Sequence, residues 1–538
     1  MNTTKKMSTL PHEVEVLVVG FGPVGAALSA LLGRYGVETL TVDRVTDILM
    51  MPRAIALDNE ALRILQMAGL DENAFAKIGI PEVKMNCPVV GQFGKANTAG
   101  SLDGHPKLVT FYQPDLERAL RKKVAEFPQV SFRGGFELVA VTSETDGIVA
   151  ELKDWQDQVH QVRARYLVGA DGAHSKVRSL INQDFKGQTY GEDWLIVDAY
   201  RRKGKVIDHV EFNCDSSRPA PHMPAPGGRE RWEFMLHPDE AKEDMETPER
   251  IAELLPPEED LEIERQAVYR FHARCCERFQ AGRIFLAGDA AHITPPFVGQ
   301  GLVAGLRDAA NLGWKMAWVL RGDAKAELLE SYDTERRPHA RKMINLARLM
   351  GKLVMPRNKL SAALIHGTMR LAGLVPPLRY HLEELRIKPA NSFDNGFFKK
   401  RFATRALRPG THLPQGLVRT ESGVLLSDSV LGDQFLIVGF GVDPIQTLDA
   451  DLLDHWKRTG GKCLQIGVHS QPPGQSEHFM EDLTNTFCQN GMRGNVAVIR
   501  PDKVIMASGP LAHASLLVRE ALTMMGNRAP NQRHAASV

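Results

Sequence analysis

Short apolar runs, β-branched or alternating with polar residues, recur along this chain, and between them lie stretches with the three-to-four spacing of an amphipathic helix. Residues 14–19 form a β-rich run, residues 23–35 read as a helix with small residues on one face, and residues 38–42 form a second β-rich run. Together they predict a βαβ unit at the start of the chain. Residues 115–126 predict an amphipathic helix, and residues 130–150 alternate as meander strands do. From 193 to 269 the pattern is strand-rich, interrupted by the prolines Pro219, Pro221, Pro224 and Pro226 and by an acidic helical stretch near 240–253. A β-rich run at 283–286 leads into a helix-like segment over 301–320, which returns the chain to its first domain. Residues 356–400 are helical and punctuated by proline, as in a connector. Beyond Pro409, β-rich runs at 434–438, 463–468 and 496–500 alternate with helix-like pieces, the pattern of a small α/β domain.

A length of 538 residues exceeds the roughly 250–300 at which one core stops growing, so two or three domains are expected. The 66 basic and 65 acidic residues sum to +1 without a long run of either sign. That balance predicts no nucleic-acid partner and suits a small, uncharged or singly charged one. The six cysteines, Cys87, Cys214, Cys275, Cys276, Cys463 and Cys488, include no C-x-x-C pair. Neither a zinc knuckle nor a redox dithiol is expected, and reduced thiols suit a cytoplasmic protein. Residues 16–33 are 18 uncharged positions, enough for a membrane span by hydropathy alone. Gly20, Gly22, Pro23, Gly25 and Gly33 within them speak instead for a strand, a glycine turn and a buried helix, and Glu13 and Glu15 stand where a signal peptide carries basic residues.

Three motifs carry the chemistry. Gly20, Gly22 and Gly25 make G-x-G-x-x-G between a strand and a helix. The first glycine permits the turn, the second lets backbone approach a pyrophosphate, and the third lets helix and strand pack closely. Asp43 ends the next β-rich run 23 positions after Gly20, where a carboxylate accepts from the hydroxyls of an unphosphorylated ribose, as in FAD or NAD. The second motif, Val168-Gly169-Ala170-Asp171-Gly172 followed by Ser175 and Arg178, also reads as an ordinary turn with an N-cap. The third, Phe285-Leu286-Ala287-Gly288-Asp289, continues through Pro295-Pro296 to Gly299-Gln300-Gly301, Gly305 and Asp308. It places a carboxylate near a second set of sugar-like hydroxyls, and free backbone N–H groups beside an electron-poor ring. Leu436-Ile437-Val438-Gly439-Phe440-Gly441 echoes the first motif, but Val442-Asp443-Pro444 follows without a third glycine, so no nucleotide is expected there.

In this order and at these separations, the motifs resemble those of the class A flavoprotein aromatic hydroxylases of the p-hydroxybenzoate hydroxylase type. Arg53 within Pro52-Arg53-Ala54, Phe111-Tyr112-Gln113-Pro114-Asp115 and Glu335-Arg336-Arg337 extend the likeness. Within that group the chain most resembles the 3-(3-hydroxyphenyl)propionate hydroxylases, on Asp58-Asn59-Glu60-Ala61, Trp194-Leu195-Ile196-Val197-Asp198, Arg231-Trp232-Glu233-Phe234-Met235 and Arg386-Ile387-Lys388-Pro389. Arg500-Pro501-Asp502-Lys503 resembles the thioredoxin-like tail of the phenol hydroxylase branch. The expected fold is therefore α/β. A Rossmann-like FAD-binding domain (1–190 and 276–355) is interrupted by a sheet-based substrate domain (191–275) and followed by a helical connector (356–409) and a thioredoxin-like domain (410–538).

The resemblance implies non-covalent FAD, its ADP half held by Gly20, Gly22, Pro23, Gly25, Asp43 and Arg44. Arg53, Gln113, Asp171, Gly288, Asp289, Pro296 and the backbone of Gly299, Gly301 and Leu302 are expected at the phosphate, ribityl and ring parts. Val303 departs from the Asn or Cys of many relatives, which removes any side-chain contact made there. NADH or NADPH is expected as a transient co-substrate, since no second complete fingerprint exists, and O2 reacts through a flavin hydroperoxide that an electron-rich ring attacks. The protein must exclude water and help deprotonate a phenol or a heterocyclic analogue such as a hydroxyquinolone. Tyr269, His222 and Asp58 are the candidates for that deprotonation; each also has a plain reading, as a core tyrosine, a loop histidine and a helix N-cap. A reductase or dehydrogenase of the same fold is the rival function, and a homodimer is the expected higher assembly.

Overall fold

The strand Glu13–Val19, with its run of β-branched residues, is buried along most of its length, as a strand covered on both faces must be. The computed structural model to which it belongs describes residues 10–256, 260–384, 388–488 and 491–526. The chain divides into two units, Met1–Ala309 with Ala340–Pro389 and Ala310–His339 with Ala390–Val538.

In the first unit, Glu13–Val19 lies between the parallel strands Thr39–Asp43 and Val159–Gly169, and Val130–Gly134 extends the sheet beyond Thr39–Asp43. The first half of Val159–Gly169 pairs antiparallel with Ile148–Lys153, while its last three residues pair parallel with Ile284–Leu286. Register therefore aligns Val19 with Gly169 and Gly169 with Leu286, so three neighbouring parallel strands end side by side. Helix Pro23–Arg34 begins with proline at its first turn and packs its small residues inward.

A second sheet of the same unit runs in the order His292–Ile293, Leu261–Cys276, Phe185–Arg201, Arg229–Met235, Ala220–Ala225, Val210–Asn213, Glu82–Cys87 and Gly91–Asn97. Its long central pair starts at Phe185, and two of its strands come from residues 82–97. The proline cluster does not interrupt it: Ala220–Ala225 is a strand containing Pro221 and Pro224. Each proline is tolerated because it is paired in register on one side only. One face packs Leu195, Val197, Trp232 and Phe234 against Met245 and Ile251 of the short helices Lys242–Met245 and Pro248–Leu254 and against Leu255, which follows the second. The other gathers Trp194, Ile196, Met85, Phe93 and Phe297.

The second unit holds a seven-stranded sheet in which Leu436–Phe440, Lys462–Gly467 and His478–Asp482 are parallel, and Asn495–Ile499 and Ile505–Pro510 add an antiparallel pair. Its charged centre is Glu335, which accepts from Arg500 Nη1 (2.7 Å) and Nη2 (3.0 Å), Lys315 Nζ (2.8 Å) and Asn311 Nδ2 (2.7 Å), while Arg500 also pairs with Asp502. Burial opposes the charge on Glu335, but Arg500 and Lys315 outweigh it and hold the carboxyl far below its usual range. The echo of the glycine motif at Gly439 and Gly441 leads into a short 3-10 turn, Pro444–Thr447, not an α-helix.

Candidate active site

The first two motifs meet across the aligned strand ends. A side chain at Gly20 would place its Cβ 2.4 Å from the Ala170 carbonyl oxygen, and one at Gly25 would place it 2.0 Å from that of Gly20. Both glycines are fixed by close backbone approach, and Gly20 also has φ +106°. Gly22 differs: its Cβ would meet nothing within 4 Å, and as N-cap it offers no side chain to the helix's first N–H groups. An open, uncapped helix start of this kind can accept an anion. Asp43 accepts from the backbone N–H of Phe21 (2.7 Å) and Val45 (3.0 Å), which fixes its carboxylate beside the glycine turn. Arg44 follows it on the exposed surface.

The third motif packs onto the first. Gly305 and Gly288 both lie against Val24, and Asp308 ties the turn by accepting from Gly288 N–H (3.0 Å) and pairing with His292 Nε2 (2.7 Å). Asp289 lies in this turn, and its carboxylate makes no hydrogen bond among the described residues. Burial pushes that carboxyl up, against the pull of His292 and Arg53. Pro296 opens a 3-10 turn that ends at Gly299 in the left-handed region (φ +62°), and Gly301 and Leu302 then start helix Gly301–Arg321. Gln113 Oε1 accepts from the backbone N–H of Arg53 (2.9 Å) and Ala54 (2.8 Å), ordering that loop. Asp171 spends its carboxylate on Ser175 Oγ (2.6 Å) and the N–H groups of Lys176 and Val177, so it shapes the loop through the following helix start.

Loops from these motifs touch the aromatic face of the second sheet at two places. The Phe297 ring packs edge-on against Trp194 (5.9 Å) and Phe271 (5.8 Å). The Pro52 and Arg53 carbonyls are gripped by Arg231 (2.9 Å each) and Arg265 (2.7 Å to Pro52), two arginines held in turn by Asp198. The residues fit a dinucleotide carrying a ring: an uncapped helix N-terminus, a carboxylate without a partner, and a glycine-rich helix start facing an aromatic wall.

Residues 13–347 match the FAD binding domain family, and residues 410–523 match the HcaD C-terminal domain. The 3-(3-hydroxy-phenyl)propionate/3-hydroxycinnamic acid hydroxylase of Burkholderia cenocepacia is 34% identical over 521 residues, 92% of this chain and 94% of the relative. The protein of that name from Comamonas testosteroni is 31% identical over 584 residues, 97% of this chain and 98% of the relative. The chain belongs to this family of FAD-dependent aromatic hydroxylases. Among solved structures, the flavin-dependent monooxygenase PieE, in complex with FAD and substrate, superposes with a TM-score of 0.79 at 20% identity over 96% of this chain and 99% of its own. A ternary complex of aklavinone-11 hydroxylase with FAD and aklavinone gives 0.75 at 22% identity, over 96% and 100% of the two chains. At those identities the two structures speak for the fold.

For a hydroxylase of this family, the three candidate bases fare differently. Asp58 is not available as a base: it caps helix Asn59–Met67 through Ala61 N–H (2.9 Å), and its second oxygen accepts from Lys388 (2.7 Å), Gln300 (3.0 Å) and Arg307 (3.3 Å). Burial works against its charge, yet Lys388 and Arg307 prevail and hold the carboxyl low. Arg386 and Ile387, which precede Lys388, lie outside the described residues. His222 stacks on Trp232 (4.3 Å) with Glu230 3.4 Å from its Nε2, on the sheet face that packs against the short helices, opposite the face that meets Phe297 and the Pro52–Arg53 loop. Tyr269 stands on the cofactor-side face opposite Trp194, its hydroxyl oxygen accepting from Arg265 Nη2 (2.5 Å). Val303 is wholly packed within the protein, so its departure from the family pattern alters packing. The arginine–aspartate cluster of Arg231, Asp198 and Arg265 was not anticipated; the signal was present in charged residues set inside otherwise apolar strand runs.

Proposed function

We propose that this protein is an FAD-dependent monooxygenase that hydroxylates a small phenolic ring, with a 3-(3-hydroxyphenyl)propionate-like substrate favoured, using NADH or NADPH and O2. The observation that carries the reading is the junction at the strand ends Val19, Gly169 and Leu286, where the open helix start at Gly22 and the unpartnered carboxylate of Asp289 lie beside loops pressed on an aromatic sheet face. The relatives' names supply the substrate class. Bound FAD would supply the electron storage and oxygen activation. The chain's residues supply the rest. Gly20, Gly22, Pro23, Gly25, Asp43 and Arg44 would seat the ADP half. Asp289 would accept ribityl hydroxyls, and the backbone of Gly299, Gly301 and Leu302 would face the ring. Trp194, Phe271 and Phe297 form an apolar wall that keeps water from the reacting centre. Tyr269, with its oxygen engaged by Arg265, presents its proton as a donor toward the substrate.

Several finer features belong to the same reading. FAD is bound without a covalent link, the enzyme is cytoplasmic, and it assembles as a homodimer. The five-part division at residues 190, 275, 355 and 409 is the proposed domain plan, with Glu82–Cys87, Gly91–Asn97 and His292–Ile293 contributing strands to the substrate-side sheet from outside its 191–275 segment. The tail is thioredoxin-like, a reading supported by a parallel β-α-β unit, Leu436–Phe440, Ala450–Arg458 and Lys462–Gly467, followed by an antiparallel pair and helix Ala514–Met525. Among the described residues no helix is long and apolar enough to cross a membrane, and no group of side chains could hold a metal ion. The test is NAD(P)H oxidation by the FAD-loaded enzyme with phenols, hydroxyphenylpropionates and hydroxyquinolones, using labelled O2 and product mass analysis. One labelled oxygen in a hydroxylated phenylpropionate is expected. A labelled quinolone alone moves the substrate class, and oxidation with no label in any product leaves a reductase.

A further inference from the structure

We propose that Glu233 is the substrate-side base of this enzyme, the carboxylate that takes the proton of the ring hydroxyl. The proposal rests on the hydroxylase reading above and replaces Asp58 and His222 in that role.

Three rows of side chains cross the cofactor-side face of the second sheet, fixed by the pairing of strands Arg229–Met235, Phe185–Arg201 and Leu261–Cys276. Met235, Trp194 and Tyr269 form the first, Glu233, Ile196 and Ala267 the second, and Arg231, Asp198 and Arg265 the third. The first row meets Phe297 of the third-motif loop, and the third row grips the Pro52–Arg53 loop. On its strand, Glu233 is the one residue of this face between the two anchors, about 7 Å along the strand from each at the usual rise per residue. Its carboxyl therefore faces the span that the two cofactor-side loops bracket.

The state of that carboxyl is unusual. Glu233 is only 8% exposed, yet it makes no hydrogen bond or ion pair among the described residues. Buried carboxylates are ordinarily paired, and the terminal nitrogens of the neighbouring arginines are committed elsewhere, with only Arg265 Nε left without an acceptor among the described residues. Arg231 donates to Asp198, Pro52 and Arg53, and Arg265 to Asp198, Pro52 and Tyr269. Burial pushes the Glu233 carboxyl up to about 7, with Arg231 and Arg265 pulling down and Asp198 pushing up. Tyr269 is the remaining titratable group of these rows; His222 and Glu230 stand on the opposite face. An unpartnered acid that changes charge near neutrality suits proton abstraction. In the step itself the phenol O–H bond breaks, the proton passes to a Glu233 oxygen, and the electron pair stays on the phenol oxygen, enriching the ring carbons ortho and para to it. A negative Glu233 also disfavours a substrate carboxylate beside it, so the side-chain acid of a phenylpropionate would lie at the other end of the ring.

The test compares wild type with Glu233→Gln as full-length, FAD-loaded enzyme, using 3-(3-hydroxyphenyl)propionate as probe from pH 5.5 to 10. Wild-type product formation should rise through about pH 7. The variant should keep the flavin spectrum, bind the probe within about threefold in KM, lose at least tenfold in product rate at pH 7.5, the low end for a lost general base, and recover toward pH ~10, where free phenols ionise. Calorimetry adds a readout without turnover: preference for the phenol over its methyl ether should fall at least fivefold in the variant. An unchanged pH profile overturns the assignment, as does a loss equal at every pH and accompanied by loss of FAD. If Glu233→Gln does not fold, Glu233→Asp must retain the inflection with a reduced rate; a flat profile overturns the proposal. A wild type that hydroxylates no phenol overturns the hydroxylase reading and this assignment with it, whereas an active wild type with an unaffected variant overturns this assignment alone.

Discussion

Replacing Gly22 by alanine separates the cofactor seat from the fold. The backbone there is extended (φ −71°, ψ −174°) and open to any residue, and the added methyl meets no protein atom within 4 Å. Two small effects on the apoprotein oppose each other. An alanine N-cap is worse than glycine by up to about 1 kcal/mol, and the stiffer unfolded chain returns about 0.4–1 kcal/mol. Apoprotein stability should therefore move by no more than about 1 kcal/mol in either direction. On the proposed reading, the methyl would occupy the space above the helix N-terminus through which a pyrophosphate would approach to hydrogen-bonding distance, near 2.9 Å. Each charged hydrogen bond forfeited is worth about 1.5–3 kcal/mol, so FAD affinity should fall at least tenfold and up to about 150-fold per bond. Urea unfolding of the apoprotein gives the first quantity, and quenching of flavin fluorescence on titration gives the second. Gly25→Ala is the contrast. Its Cβ would stand 2.0 Å from the Gly20 carbonyl oxygen, a backbone atom with no room to yield, so stability and FAD binding should fall together, the former by at least about 1–3 kcal/mol. A Gly22→Ala variant that binds FAD as tightly as wild type, or that loses stability as Gly25→Ala does, refutes the open seat at Gly22.

Three further outcomes are expected. Asp289→Asn should weaken FAD binding at least tenfold in the same titration while leaving apoprotein unfolding unchanged or shifted to higher urea, because burial already disfavours the charged carboxyl. Arg500→Leu should destabilise the second unit by about 3–5 kcal/mol in urea unfolding, since it leaves Glu335 and Asp502 buried without their shared cation. Glu233 has its carboxyl raised from 4.5 to about 7, so its contribution to stability is full below pH ~4.5 and lost as pH rises through about 7; the gap of 2.5 amounts to roughly 3 kcal/mol. The loss of stability between pH 5 and pH 8 should accordingly be smaller in Glu233→Gln than in wild type by up to that amount, and equal slopes would contradict it.

The parts of the fold that were readable in the sequence are those in which a backbone constraint selects a residue type. Gly20 and Gly25 are required by contacts of 2.4 and 2.0 Å from their would-be side chains, so the motif and the strand ends around it were visible locally. The cap at Asp58 was readable for the same reason, being made three residues away at Ala61. Its other partners, Gln300, Arg307 and Lys388, lie 242, 249 and 330 positions along the chain, and no local pattern announces them. The proline cluster misled in the opposite direction. Prolines are rare within sheets, yet Pro221 and Pro224 each have a ladder partner on one side only, Phe212 for Pro221 and Glu230 for Pro224, a property of the neighbouring strands' pairing.

What remains is a question of parity, and it decides which side chains can meet the substrate. Successive residues of a strand face opposite sides, so once Trp232 is seen to pack toward the short helices, Glu230 and Phe234 must go with it, and Arg231, Glu233 and Met235 must face the cofactor loops. His222 pairs with Trp232 and shares its side; Tyr269 pairs with Trp194, opposite Met235, and shares the other. A histidine with favourable chemistry is thereby placed, by one residue of register, on the face away from Phe297 and the Pro52–Arg53 loop. A glutamate that reads as an oddity inside Arg231-Trp232-Glu233-Phe234-Met235 is brought to its centre. The cofactor-side face then holds three kinds of polar group with distinct work. Two arginines and Asp198 fasten the Pro52–Arg53 loop, a tyrosine fixed by Arg265 offers a donor, and Glu233 offers an acceptor. A ring hydroxyl can satisfy both of the last two at once, receiving a hydrogen bond from Tyr269 on its oxygen while giving its proton to Glu233. A methyl ether can satisfy only the first, which is why oxygenation should demand the free phenol even where the ether binds.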